Sequence, residues 1–273
     1  MLCLTVIVGA IMMGSLPVFV RNIDMNPLQL SFFRLFFGFV FLAFILLLMG
    51  EKPKLKNPRL VGAIVCVNTL TVVSYIAAIQ LVEAATAALL LYMAPIYVIP
   101  LARLTGEKIH PSSWLALPAG VTGLWLMLSP HDFSGGVLFG LISGISYAIY
   151  FILMKKARKE MEASHITFAY LGLASLLLLP ALFIEPVSVE GKLPWLFGLG
   201  LIPTALAFTL FNYGIKYCRV EQAPLFALVE PVAAGFFGYV LFGEVLTGTQ
   251  LMGAAIILLS VGVAAKGLSD VET

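Results

Sequence analysis

Charged residues are scarce in this sequence: Asp, Glu, Lys and Arg make up only 11% of the 273 residues, whereas 61% are hydrophobic. Soluble domains carry roughly 25% charged and about 45–50% apolar residues, so a water-soluble globule is excluded. The excess apolar surface must face lipid, where the backbone has to satisfy its own hydrogen bonds. The apolar stretches are continuous rather than alternating, which excludes a transmembrane barrel and predicts an all-α integral membrane protein.

Several kinds of reactive site are also missing. The three cysteines, Cys3, Cys66 and Cys218, have no CxxC spacing and are expected to be buried small hydrophobes. The three histidines lie far apart in connecting segments, so no metal site is expected. Without GxSxG or HExxH, and with Glu230 as a lone carboxylate in its span, no enzyme, catalytic residue or cofactor is expected. The net charge of +2 is too small to indicate a nucleic-acid partner.

Ten apolar segments are each long enough for a helix that crosses a membrane, which takes about 20 residues. The first has no basic flank and no A-x-A site, so it is predicted to be a spanning helix rather than a signal peptide. The connections are too short for a soluble domain, which argues against a scaffold or receptor. The predicted spans are residues 2–20, 28–49, 60–81, 84–104, 113–129, 136–154, 165–184, 194–215, 222–242 and 248–265.

The basic residues support this division, because loops on the cytoplasmic side of a membrane attract Lys and Arg. With the N-terminus placed inside, thirteen of the 16 basic residues fall on the cytoplasmic side, Arg21 and Lys192 fall outside, and Arg34 lies within a span. The cytoplasmic ones are Lys52, Lys54, Lys56, Arg59, Arg103, Lys108, Lys155, Lys156, Arg158, Lys159, Lys216, Arg219 and Lys266. The alternation predicts a multi-pass protein of the cell (inner) membrane with both termini in the cytoplasm.

The two halves of the chain resemble each other. Residues 75–83 read YIAAIQLVE, and residues 213–221 read YGIKYCRVE. Further on, Pro95 is echoed by Pro231, and a Gly-Glu pair follows each proline. The chain therefore carries an internal repeat of about 137 residues.

Each repeat contains five predicted spans, which is an odd number, so the second copy must enter the membrane upside down. Inverted repeats are typical of secondary transporters, whose solute site lies near the midplane where the repeats meet. We predict a five-helix repeat in residues 1–132 and an inverted one in residues 133–273, facing each other around a central cavity.

A proline in the fourth helix of each half, followed by Gly-Glu at the end of that helix, resembles the EamA-type branch of the drug/metabolite transporter superfamily. So do Phe33-Arg34 in the second helix, the run LVEP at residues 228–231, and the short Tyr-rich third and eighth helices. The resemblance covers essentially the whole chain. It implies a ten-helix carrier that works by alternating access and moves amino acids or related metabolites, often outward.

Two charged residues deep in predicted spans are the first candidates for solute binding or coupling. At about 1.5 Å per residue, Arg34 lies roughly 11 Å from the outer end of its helix and Glu230 roughly 14 Å from the cytoplasmic end of its own. A charge at such depth costs at least about 2.5–3.5 kcal/mol. Arg34 either anchors a solute carboxylate, or snorkels or clamps a neighbouring helix. Glu230 either couples proton movement to transport or makes a structural hydrogen bond at the break made by Pro231; we hypothesise that the two charges pair.

Polar and aromatic residues within the spans complete the predicted site. Tyr and Asn offer hydrogen bonds at little charge cost, which suits a zwitterionic or amphipathic solute, and each could instead bond a neighbouring helix. Those assigned to binding or coupling are Asn68, Tyr92, Tyr147, Tyr150, Tyr170 and Asn212. Tyr75 and Tyr213 rank lower, because they lie near membrane ends where aromatic belts form. Pro95 and Pro231 each free a helical carbonyl and are predicted to be hinges or static kinks.

Other cargo classes stay open. A phosphorylated sugar would need two or more deep basic residues, and a lipophilic or multidrug compound would suit an apolar cavity with a midplane acid. The expected partners are a small-molecule solute, protons as a coupling ion, and the lipid bilayer. Gly136, Gly140 and Gly144 form a G-xxx-G-xxx-G face that predicts close helix packing within a monomer, or a weak dimer.

Overall fold

The computed structural model describes residues 2–82, 84–104, 106, 109–129 and 136–266. These residues are mostly helical, and no strand occurs among them. Within them, nine helices are long and apolar enough to cross a membrane, which confirms the predicted all-α membrane class. They cover Leu2–Val20, Leu28–Leu48, Pro58–Ala78, Thr86–Leu104, Val137–Ala157, Ala163–Phe183, Leu193–Ile215, Gln222–Phe242 and Gly248–Lys266. The predicted repeat boundary after residue 132 lies outside the described residues.

Several spans are interrupted rather than continuous. The α-helices are α1 (Thr5–Met13), α2 (Leu16–Val20), α3 (Pro27–Leu48), α4 (Pro58–Leu81), α5 (Ala84–Tyr92), α6 (Ala94–Leu104), α7 (Pro111–Leu128), α8 (Val137–Ala157), α9 (Ala163–Leu178), α10 (Leu193–Gly200), α11 (Ala207–Ile215), α12 (Gln222–Ala227), α13 (Val229–Phe242) and α14 (Gly248–Lys266). Short 3-10 turns cover Leu2–Leu4 and Leu179–Phe183, and a π-helical segment, Leu201–Leu206, joins α10 to α11. The first, fourth, eighth and ninth predicted spans are therefore each built from two helices.

Helix starts follow local capping signals. The side chains of Asn26 and Asn57 accept hydrogen bonds from the amides of Leu28 (3.0 Å) and Leu60 (3.1 Å). A proline follows each asparagine at the start of the helix, where its missing N–H costs nothing. The Asn-Pro pairs therefore determine where α3 and α4 begin.

The predicted span 113–129 corresponds to α7, a helix of 18 residues that is not one of the nine. It packs lengthwise on α14 through small residues. A Cβ added to Gly123 would lie 2.8 Å from the carbonyl oxygen of Gly253, so the two backbones nearly touch. The helix is part of the bundle, and the count of ten spans stays a prediction.

The glycine face of α8 is filled within the monomer. A Cβ on Gly136 would lie 2.8 Å from Cβ of Leu81, and one on Gly144 would overlap the carbonyl oxygen of Leu90. Gly140 faces the side chain of the same Leu90. Contact with α4 and α5 therefore accounts for the small residues without a second copy of the chain.

Two of the three cysteines are joined in a disulfide and the third is exposed, so the expectation that all three are buried small hydrophobes is wrong. Cys3, in the turn before α1, bonds to Cys218 in the connection between α11 and α12. They are 215 residues apart, so no local spacing rule could reveal the pair. Cys66 is free and exposed on α4.

Candidate functional site

Five of the predicted site residues meet in one polar centre. Tyr92, Tyr147 and Tyr170 lie within electrostatic reach of Arg34, and so does Glu230. Arg34 and Glu230 are surrounded by protein, yet each keeps part of its surface accessible. Enclosed side chains that remain partly accessible indicate an internal space with room for water-sized groups. The centre is formed by α3, α5, α8, α9 and α13, so both halves of the chain contribute to it.

Arg34 is oriented by the π-helical segment. Its Nε donates to Oγ1 of Thr204 at 3.1 Å, and its Nη2 lies 3.5 Å from the carbonyl oxygen of Pro203. The guanidinium also lies 5.6 Å from the ring centroid of Phe208, within cation–π range. A guanidinium has five N–H donors, and the described protein groups engage two of them. The other donors can meet an anion.

The π-helical segment exists because a proline interrupts the helix. Pro203 has no N–H, so the carbonyl of Leu199 loses its usual partner four residues on. The hydroxyl of Thr204 donates to that carbonyl at 2.7 Å and accepts from Arg34. Sequence reasoning missed Pro203 and Thr204, although a proline in mid-span was a usable signal.

Glu230 lies in the first turn of α13, directly after the break that separates α12 from α13. A helix N-terminus favours negative charge. The hydroxyl of Tyr92, the last residue of α5, lies within hydrogen-bonding reach of the Glu230 carboxylate. Arg34 and Glu230 attract each other across the centre. The described hydrogen bonds of Arg34 go to Thr204 and Pro203 and not to Glu230, so a direct ion pair between the two charges stays a prediction.

The first span also touches this centre. A Cβ added to Gly14 would lie 2.8 Å from the carbonyl oxygen of Glu230 and 2.6 Å from Cβ of Ala233. The break between α1 and α2 therefore packs against the turn that carries Glu230. Only glycine permits this approach without displacing one helix.

Tyr75 belongs to the centre, which corrects its assignment to an aromatic belt. It lies within electrostatic reach of Glu230 and Arg34. Asn68 lies on the same face of α4, seven residues or about 10 Å closer to the start of that helix. It is buried, and its Nδ2 has no hydrogen-bond partner among the described residues. Tyr213 stays at the end of α11, where its ring packs 5.4 Å from that of Tyr217.

Tyr150 and Asn212 are bonded to each other instead of facing the internal space. The hydroxyl of Tyr150 donates to Oδ1 of Asn212 at 2.6 Å, and Nδ2 of Asn212 donates to Oγ1 of Thr167 at 3.0 Å. All three residues are fully buried. This network joins α8, α9 and α11, and its geometry favours an interhelical role over solute contact.

The hydrogen-bond network of Tyr150 and Asn212 extends to the C-terminal ends of α8 and α11. Arg158 donates through Nε to the carbonyl of Asn212 at 3.0 Å and also donates to the carbonyl of Met161. Burial lowers the pKa of the Arg158 guanidinium, and the nearby carboxylate of Glu162 opposes that shift. Nζ of Lys155 donates to the carbonyl of Lys216 at 2.9 Å, where α11 ends. Basic groups at the last carbonyls of a helix offset its dipole.

The buried network and the polar centre should respond differently to substitution. Tyr150→Phe removes one buried hydrogen bond and leaves Asn212 partly unsatisfied, so we expect a loss of about 1–3 kcal/mol of stability. Solute affinity should change less than about twofold, because Tyr150 does not face the internal space. Tyr147→Phe removes the hydroxyl of a partly accessible residue within electrostatic reach of both Glu230 and Arg34, so it should cost affinity rather than stability. Thermal unfolding and binding titrations of both variants would separate the roles, and the reverse result would contradict the assignment.

The interruptions beside Pro95 and Pro231 adjoin the same centre. α5 ends at Tyr92, and α13 begins at Val229, so each break comes within three residues of its proline. Their hinge role stays a prediction. Within the described ranges, no group of three or more His, Cys, Asp or Glu residues could hold a metal ion.

Comparison with known proteins gives concordant matches. The family model described as "EamA-like transporter family" matches residues 1–129 and again residues 134–265. An "Uncharacterized transporter" of Archaeoglobus fulgidus is 49% identical over 261 residues, covering 95% of this chain and 94% of that protein. The "Uncharacterized inner membrane transporter YedA" of Escherichia coli (strain K12) is 26% identical over 250 residues, covering 86% and 80%.

A solved structure has the same fold. One crystal structure of a protein superposes with a TM-score of 0.84, covering 99% of each chain at 17% sequence identity. Identity at that level indicates a common architecture and says nothing about the solute.

Proposed function

Because this chain belongs to the EamA-like transporter family, we propose that it exports small organic solutes that carry a carboxylate, such as amino acids or related metabolites, by alternating access. Its relatives are named transporters, and the chain is accordingly a membrane transporter. The solute class, the outward direction and the access mechanism are the proposal. No catalytic chemistry is assigned to it.

The observation that carries the solute class is the environment of Arg34. The guanidinium keeps part of its surface accessible, and the described protein groups engage only two of its donors, through Nε and Nη2. Charge-assisted hydrogen bonds from arginine to a carboxylate are short, strong and often bidentate. Glu230 and Tyr92 lie across the centre and suit the ammonium group of a zwitterion. Both ends of an amino acid would then find opposite charge.

The two other cargo classes fit this centre less well. A phosphate group is best held by several cations, and Arg34 is the one basic residue that acts on the tyrosines and the glutamate in the described part of the centre. A lipophilic solute would displace water from Arg34 and Glu230 without offering either of them a polar group, which is costly in a low dielectric. A zwitterion satisfies both charges at once.

The proposed alternating-access carrier has ten membrane-spanning helices, with α7 as one of them. A hydrogen bond between two loops on the predicted cytoplasmic side supports the crossing of α7. The amide of His110, just before α7, donates to Oε1 of Glu221 at 3.1 Å. If α7 did not cross, those two residues would lie on opposite sides of a hydrocarbon core about 30 Å thick. On the predicted outer side, Arg21 forms a 2.5 Å ion pair with Glu244, which fits the same alternation.

The two units are proposed to be residues 1–132 and 133–273, related by inversion. The double family match over 1–129 and 134–265 supports a boundary at that place. Five spans per unit make the second unit upside down, so the site lies where the two repeats meet. We assign the chain to the inner (cell) membrane with both termini cytoplasmic, as the basic residues and the name of the Escherichia coli relative suggest.

Counterflow in proteoliposomes tests the solute class without assuming a driving ion. Vesicles loaded with unlabelled amino acids, other carboxylates, hexose phosphates or lipophilic amines are supplied with a labelled trace of the same compound. We expect saturable accumulation with at least one carboxylate-bearing solute and none in vesicles lacking the protein. Counterflow only with lipophilic amines or hexose phosphates would overturn the assignment.

A further inference from the structure

A second, apolar site lies on the lipid-facing side of the bundle, away from the polar centre. It is a groove of about 450 Å³ between α3 and α9, which we call the α3–α9 groove. Its wall is formed by Phe32, Phe36 and Phe39 of α3, Pro53 and Leu55 of the loop after α3, and the face of α9 from Phe168 to Leu179.

The groove faces away from Arg34. Phe32, Phe36 and Phe39 follow a spacing of four and three residues and share one side of α3, whereas Arg34 lies on the opposite side. The hydroxyl of Ser175 is in the wall, but it donates to the carbonyl of Gly172 at 2.8 Å. The wall therefore presents apolar surface to its occupant and suits a hydrocarbon chain rather than a polar solute.

The loop after α3 brings positive charge to the same groove. Residues 51–57 form no helix, and Pro53 and Leu55 of this loop contribute to the wall. Lys52, Lys54 and Lys56 alternate with them and are exposed. Because the lysines are exposed neighbours of two residues in the wall, their charges lie at the edge of the groove.

The start of this loop contacts α9. A carboxylate oxygen of Glu51 lies 3.5 Å from Nε2 of His165, in the first turn of α9. The one acidic group at the start of the loop is thereby turned toward that histidine. Arg59, at the start of α4, adds a fourth basic residue. The end of the groove is therefore apolar inside and positive at its rim.

We propose that the α3–α9 groove binds an acyl chain of an anionic phospholipid whose phosphate is held by Lys52, Lys54 and Lys56. A groove open to the bilayer selects a lipid tail, and basic residues beside a membrane helix select an anionic headgroup. The inference is independent of the solute proposed above. The bound tail would cover the contact between the rings of Phe39 and Phe168, whose centroids are 4.8 Å apart, and so stabilise α3 against α9.

Native mass spectrometry of the full chain tests the headgroup. The protein is incubated in detergent with equal amounts of phosphatidylglycerol and phosphatidylcholine that have identical acyl chains. We expect the phosphatidylglycerol adduct to exceed the phosphatidylcholine adduct by about fivefold or more. Equal retention of the two lipids by the wild-type protein overturns the proposal.

Charge-reversal variants test whether the lysines of this loop cause the preference for phosphatidylglycerol. The test variant is Lys52→Glu/Lys54→Glu/Lys56→Glu, and the control is Lys156→Glu/Lys159→Glu/Lys216→Glu, which reverses three other exposed lysines. The test variant should lose the preference for phosphatidylglycerol, and the control should keep it. A loss of the same size in both variants would mean that net charge, not this site, selects the lipid, and the proposal would be wrong.

A second pair of variants tests the groove itself. Leu176 lines the groove and is 64% exposed, whereas Leu177 is 55% exposed and is not part of the wall. Leu176→Trp should fill the groove and abolish the retained lipid adduct, while Leu177→Trp should leave it unchanged. Because both side chains already face outward, both variants should fold, which size-exclusion chromatography would verify. Retention of the adduct by Leu176→Trp rules the site out.

Discussion

The Arg34→Ala protein is expected to lose at least about 30-fold in affinity for its carboxylate-bearing solute. Removing one partner of an enclosed charge interaction typically costs about 2–5 kcal/mol. Arg34 is already oriented by Thr204 and Pro203, so the donors that remain are preorganised for the solute. Binding is measured by titrating the solute while following thermal unfolding, and transport by counterflow. Wild-type affinity in the variant would remove the anchor from the mechanism.

Three further variants separate anchoring from folding. Arg34→Lys keeps the charge without the planar fork, so its affinity should be intermediate. Thr204→Val keeps the arginine and the shape of residue 204 but removes the 3.1 Å hydrogen bond, so a smaller loss is expected. Arg21→Ala is the matched control, because that arginine is exposed in an ion pair with Glu244. Exposed ion pairs contribute only about 0–1 kcal/mol, and binding should be unaffected.

The Glu230→Gln protein is expected to lose transport driven by a proton gradient while it keeps solute counterflow. Glutamine is close in size to glutamate but cannot release a proton, so a cycle that uses Glu230 as the carrier of the proton stops. We expect uptake driven by an imposed pH gradient to fall at least about tenfold, as for general loss of a proton-transfer group. Counterflow needs no net proton movement, so at saturating solute concentration its rate should stay within about twofold of wild type at a fixed pH. The solute affinity itself should fall, because the variant lacks the negative charge that faces the ammonium group.

The surroundings of Glu230 explain this expectation. The carboxylate lies at the first turn of α13, within reach of the hydroxyl of Tyr92 and across the internal space from Arg34. Movement of solute or of either broken helix would change which of these groups it meets. Glu244→Gln, at the exposed end of the same span, is the matched control. Identical gradient-driven transport by the Glu230→Gln and wild-type proteins at every pH would exclude proton coupling through this residue.

The fold brings together only some of the residues that the sequence assigned to the site. Arg34, Glu230, Tyr92, Tyr147 and Tyr170 meet as proposed from their depth and chemistry. The remaining assignments depended on helix rotation about the axis, which a residue's depth does not reveal. The orientation of α4 directs Tyr75 toward the centre. The orientations of α8 and α11 direct Tyr150 and Asn212 toward each other, where they form a buried network.

The sequence alone determined the membrane class, the approximate spans and the presence of two deep charges of opposite sign. The predicted span 222–242 coincides with the apolar span Gln222–Phe242 of the structure, because hydropathy and helix breakers act locally along the chain. Only the tertiary structure decided that Cys3 bonds to Cys218 and that Thr204 orients Arg34. Those pairs are 215 and 170 residues apart, and their contact depends on how each helix packs and turns against its neighbours.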